Sequence, residues 1–121
     1  MKKIYYHKLI RDRIPIKIKK SGSQARYRIL SKKQFEKELY KKVGEEASGL
    51  LSAKTKGELI SELADIIEVI EAIKKFKKVS DKELVVAKKG NMKKKGGFKK
   101  RLYLVWAEDT GYRTNERKYK K

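Results

Sequence analysis

Nine of the fifteen acidic residues fall between positions 31 and 76, and three of them have a spacing that could do chemistry. On a helix turning about 100° per residue, Phe35, Leu39, Val43, Ala47 and Leu50 mark an apolar face. Glu46 falls inside that face, whereas its neighbour Glu45 falls on the solvated side. On the next helical stretch Glu58, Glu62 and Asp65 follow at i, i+4 and i+7 and share one side, where Glu62 and Asp65 border an apolar stripe. A carboxylate at a helix interface is costly unless it is paired, hydrogen-bonded or bound to a cation. Antiparallel packing would set Glu46 opposite Glu62 and Asp65. Their mutual repulsion is relieved by a hard divalent cation, and an all-oxygen donor set favours Mg2+ or Mn2+ over zinc. The plainer reading is that nearby lysines pair with these acids on ordinary helix surfaces.

Two helices must carry these groups. Ser31 with Gln34 reads as a capping box, opening a helix that runs to Ala53. Lys54 to Gly57 is a polar connection. A second helix from Glu58 to about Lys77 has an apolar stripe of Leu59, Leu63, Ile66, Ile67, Ile70 and Ile73. A short loop makes the two pack antiparallel. Before them, Pro15 and the following residues predict a short helix from Ile14 to Lys20, closed by the Ser21-Gly22-Ser23 turn. After them, Ser80 and Glu83 form a second capping box, with Gly90 and Asn91 interrupting the helix it opens and Gly96-Gly97 breaking the chain. Tyr27 to Leu30 and Arg101 to Trp106 read as strands that could pair. The expected fold is therefore mainly α, an antiparallel helical hairpin or bundle with a small accessory β-hairpin or strand pair. Residues 1–106 form the domain and residues 107–121 a basic tail. Trp106 and the tyrosines could stack on nucleic-acid bases, but core or strand packing is the expected place for Tyr103 and Trp106.

A chain of 121 residues suits one domain with a real core. The net charge of +20 is carried by the flanks. Residues 1–30 hold ten basic residues and one acid, residues 31–76 hold nine of each, and residues 77–121 hold sixteen basic residues and five acids. Such flanks suit a polyanion, and a nucleic acid is one partner they would accept. The absence of cysteine excludes disulfides and thiolate metal sites and agrees with a reducing, cytoplasmic setting. No apolar run is long enough for a membrane span, and charges interrupt any export signal near the N-terminus. There is no glycine-rich phosphate loop, and the single histidine, His7, argues against a histidine-based site.

The pattern Glu45-Glu46 followed by Glu62-Leu63-Ala64-Asp65 resembles the MazG-like all-alpha nucleoside-triphosphate pyrophosphohydrolases, the group that includes phosphoribosyl-ATP pyrophosphohydrolase. The stretch Tyr6 to Pro15 and the segment Gly96-Gly97-Phe98 with Lys100-Arg101-Leu102 resemble parts of a small subfamily of that group. The resemblance covers roughly residues 5–105. It implies Mg2+ (or Mn2+) held by Glu46, Glu62 and Asp65, with Glu45 as a catalytic carboxylate orienting water. Lys8, Arg11, Arg13, Lys95, Lys99 and Arg101 are the candidate substrate-binding cations. The family motif has a fourth acid, and this chain has Gly49 at that position.

The implied activity is Mg2+-dependent hydrolysis of a nucleoside triphosphate, one that is noncanonical or in excess, to monophosphate and pyrophosphate. The implied state is a homo-oligomer, with the site near the interface. The alternative is a non-catalytic domain on the same fold that binds nucleic acid or ribonucleoprotein, its metal site decayed at Gly49.

Overall fold

The computed structural model describes residues 2–108, so residues 109–121 of the expected tail lie outside the described residues. Four helices follow in order: α1 Ile14–Lys20, α2 Lys32–Ser48, α3 Lys56–Lys77 and α4 Asp81–Lys95, with a 3-10 turn at Gly49–Leu51. The chain divides into two compact units, Met1–Val85 and Val86–Lys121, and the division falls within α4.

In the first unit α2 and α3 pack against each other as an antiparallel hairpin. Phe35 at the start of α2 meets Phe76 near the end of α3, edge to face, with ring centroids 5.1 Å apart. Glu36 pairs with Lys77 one step along. At the other end Gly49 lies against Glu62. Leu39 and Val69 lie between these ends and are the only buried apolar residues among the described residues.

The helix boundaries follow local chemistry. Ser31 caps α2 by accepting the Gln34 N–H at 3.2 Å, although Gln34 does not return the bond and instead accepts from Arg28 at 3.4 Å. That helix ends at Ser48, five residues before the expected Ala53, because Gly49 leads into the tighter turn. Thr55 caps α3 through the Glu58 N–H at 3.1 Å, so α3 starts at Lys56 rather than Glu58. Ser80 and Glu83 make the full reciprocal box, with bonds of 2.9 and 3.0 Å. Lys78, between α3 and α4, adopts the left-handed conformation, and Val79 N–H donates back to the Lys74 carbonyl at 2.8 Å. Lys74 is buried at this corner and is neutralised by Glu71 and Asp81.

Two expectations are corrected. α4 runs through Gly90 and Asn91 without interruption and stops at Lys95, before Gly96 at φ +77°. Among the described residues there is no strand, so the accessory β-hairpin is absent. Tyr27–Leu30 and Arg101–Trp106 are irregular, and Ile29, Leu102, Tyr103 and Val105 are exposed. Alternating large residues form a strand only where a pairing partner and a covering layer reward it. A partner about 70 residues distant also carries a loop-closure cost.

With so few buried side chains, each should matter. Leu39→Ala is expected to cost about 3 kcal/mol by chemical denaturation, while Ile29→Ala leaves stability unchanged. Lys78→Gly should stabilise by up to about 1 kcal/mol, because it relieves left-handed strain at a helix end. A neutral Leu39→Ala would refute this account of the core.

Candidate metal centre

The hairpin register decides which acids meet. Phe35 faces Phe76 and Gly49 lies against Glu62, so each residue of α2 meets a residue of α3 whose number brings the sum to about 111. Glu46 is thereby set against Asp65, one turn from Glu62. Glu46, Glu62 and Asp65, all half-buried, each offer a carboxylate oxygen within 4.8 Å of the others. Glu45 is one residue round the helix, and its side chain is 37% exposed against 21% for Glu46. Glu58, expected on the same side as Glu62, instead closes the N-terminus of α3, accepting from Lys54 N–H at 3.4 Å and the Thr55 hydroxyl at 3.3 Å.

Gly49 explains how Glu62 reaches its place. A Cβ at position 49 would stand 2.6 Å from the Glu62 carboxyl carbon and 3.0 Å from Oε1, too close for either to remain. The Glu62 carboxylate therefore fills the space that a side chain at position 49 would need. The absence of a side chain at position 49 and the placement of the Glu62 carboxylate are one feature. Beside it a cleft of about 200 Å³ is lined by Gly49, Ser52, Ala53, Glu58, Ser61 and Glu62. A larger hollow of about 540 Å³ lies at the α3–α4 corner, where Lys74 is engaged by Glu71 and Asp81 and where Glu68 and Lys75 also line the wall.

Basic side chains surround the acids. Lys8 pairs with Glu45 at 3.0 Å, and Arg11 donates to Asp65 Oδ1 at 3.2 Å. Lys42 reaches Glu45 at 3.5 Å and Glu46 at 3.4 Å. Lys42 was legible as an i, i+3 and i, i+4 partner but escapes a reading focused on the acids. Glu62 has no ion pair among the described residues. So the pairing of acids with cations accounts for Glu46 and Asp65 and leaves Glu62 out. Arg13 sits at the N-terminal boundary of α1 and makes no side-chain cap bond. Lys95, Lys99 and Arg101 belong to the second unit.

The donor set fits a hard divalent cation. Oxygens bound to one Mg2+ at about 2.1 Å lie at most about 4.2 Å apart. A pair at the full 4.8 Å would close by roughly 0.6 Å, which carboxylate rotation can supply. No thiol or imidazole competes within the cluster. The chain matches no family model, and no curated protein or solved structure matches it.

The Lys8–Glu45 pair fixes a pH window. The Lys8 ammonium beside Glu45 holds its carboxyl below the ordinary 4.5, and Glu45 in return holds Lys8 above 10.5. The acid's share of this attachment is complete above pH 4.5 and is lost as pH falls through the lower folded value. The lysine's share is complete below 10.5 and is lost as pH rises through the higher folded value. Carboxyl-carbon NMR should show Glu45 titrating below 4.5 in the native chain and moving up in Lys8→Met. An unperturbed Glu45 in the native chain would show that the N-terminal segment is not held this way.

Proposed function

We propose that the chain is a Mg2+- or Mn2+-dependent nucleoside-triphosphate pyrophosphohydrolase of the MazG-like all-alpha kind. The observation that carries this reading is the convergence of Glu46, Glu62 and Asp65 from two helices. Glu46, Glu62 and Asp65 would hold the cation, which when bound neutralises phosphate charge and lowers the pKa of water. In the overall reaction water adds to the α-phosphorus, the bond to the oxygen bridging towards the β-phosphorus breaks, and that oxygen leaves with pyrophosphate.

The chain's own groups supply position and charge. Glu45, its carboxyl held low by Lys8, stays ionised near neutral pH and can accept a hydrogen bond from the attacking water. A weak base of this kind orients water better than it removes the proton. Lys8 and Arg11 rest on carboxylates at the same end of the hairpin, and a polyphosphate offers them stronger acceptors. Their transfer would clamp the substrate while freeing Glu45 and Asp65. The cleft beside Glu62 is smaller than the roughly 300 Å³ at which small-molecule pockets begin, so it can hold only part of a nucleotide.

Pyrophosphate release measured over a broad panel of nucleoside triphosphates should require Mg2+ or Mn2+. Glu62→Gln should lower it by at least about a hundredfold, since loss even of an indirect metal partner costs 10- to 100-fold. Gly49→Ala should lower it too, by pushing Glu62 out of the cluster, with the fold retained because only a flexible side-chain end must move. A purified chain inert on the whole panel, with a melting temperature indifferent to Mg2+, would sink the proposal.

The same reading includes a homo-oligomer. α3 is apolar on a second side: Ile60, Leu63, Ile67 and Ile70, spaced 3, 4 and 3 apart, are 36 to 57% exposed. A helix apolar on both sides is normally covered on both. The occupant that fits is α3 of a second copy, antiparallel. Acids occupy α3 from Glu58 to Glu71 and lysines its last turn, so a parallel pair would stack like charges whereas an antiparallel pair opposes unlike ones. Sedimentation should give a dimer or larger assembly, and Leu63→Glu with Ile67→Glu should yield the monomer. A monodisperse native monomer at assay concentration would rule this out.

A further inference from the structure

The second unit carries a feature that the metal centre does not use. Between Glu83 and Glu108 there is no acidic residue, while seven lysines and Arg101 fall in that interval. Five of the lysines lie on the last two turns of α4, where Lys89 and Lys93 share one side at i, i+4 and Lys88 and Lys95 share another at i, i+7. The helix stops at Lys95, and Gly96 at φ +77° turns the chain. Phe98, Tyr103 and Trp106 follow within nine residues and are 97%, 90% and 75% exposed. Lys99, Lys100 and Arg101 lie between the first two of these aromatics.

Large aromatic side chains rarely stay this exposed without a partner. The partner must combine repeated negative charge with flat apolar faces. A single-stranded nucleic acid offers both, since its phosphates meet the cations and its unpaired bases stack on the rings. A duplex keeps its base faces stacked internally and would leave the rings idle. An acidic peptide would take the charge and leave the rings idle as well. A membrane surface asks for a helix with one broad apolar side, yet of Val85, Val86 and Met92 on α4 only Val85 and Met92 share a side, at i, i+7, and Lys88 and Lys89 flank it.

We propose that residues 86–106 form a binding surface for single-stranded RNA or DNA, with Phe98, Tyr103 and Trp106 stacking on bases and the lysines and Arg101 following the phosphates. This surface does not depend on the metal centre, and either could exist without the other.

The chain's single tryptophan makes the test direct. Titrating the full chain with oligouridylate and oligodeoxythymidylate of about 15 nucleotides should quench Trp106 and give saturable binding. The slope of log affinity on log salt should be about −3 to −5, corresponding to four to seven phosphate contacts. Phe98→Ala and Tyr103→Ala should each weaken binding about tenfold at unchanged slope. Lys93→Gln with Lys94→Gln should flatten the slope by about 1. Equal affinity for heparin without quenching, aromatic substitutions that change nothing, or a duplex of the same length bound as tightly would each overturn the proposal. Binding to anionic vesicles with no response to either oligonucleotide would overturn it in favour of a membrane.

Discussion

The antiparallel contact of α2 with α3 is the constraint on which the first unit depends. Its register is fixed at one end by Phe35 on Phe76 and at the other by Glu62 on Gly49. Between these lie Leu39 and Val69, the whole of the buried apolar core among the described residues. Slipping α3 by one residue would turn its side chains by about 100° and separate the three carboxylates. Packing and candidate chemistry therefore share one origin. Gly49 is the clearest case: it ends α2 and gives the Glu62 carboxylate its seat.

That arrangement concentrates negative charge in a chain whose net charge is +20. The response is a collar of cations drawn from separate places. Lys42 lies on the same helix as Glu46, whereas Lys8 and Arg11 come from an irregular segment before α1. Exposed pairs of this kind contribute little stability on their own, because solvent screens them and long side chains lose entropy. In the function proposed above their value would lie in exchange, since a group held weakly by a carboxylate is available to a stronger anion. Lys74 behaves differently, being buried and held between Glu71 and Asp81, where it fixes the corner from α3 into α4.

The two units solve opposite problems. In the first, acids gather where helices meet and apolar residues remain exposed along α3. In the second, cations and aromatic rings are both displayed to solvent, with no acid between Glu83 and Glu108. The stripe on α3 is apolar and flanked by mixed charge, which suits another copy of the chain. The second unit is wholly basic across that interval and would repel another copy of itself.

Much of this was legible from residue order. Capping groups at Ser31 and Ser80, the apolar period of α2 and α3, and the break at Gly96 are set by neighbours within a turn or two. The inward aim of Glu46 and the outward aim of Glu45 followed from helical geometry alone. What failed was non-local. Tyr27–Leu30 and Arg101–Trp106 have strand-like composition, but strands exist only through distant partners, which local pattern cannot supply. The burial expected of Tyr103 and Trp106 failed for the same reason, because their composition gives no sign of what would cover them. Position 49 read only as a position without a side chain, and tertiary packing adds that the Glu62 carboxylate lies against it. Sequence thus determined the helices, their faces and the distribution of charge, all governed by short-range backbone and side-chain preferences. Only the packing of α2 on α3 decided which carboxylates meet and why a glycine must stand beneath one of them, because steric exclusion between residues 13 positions apart exists only once the chain has folded back on itself.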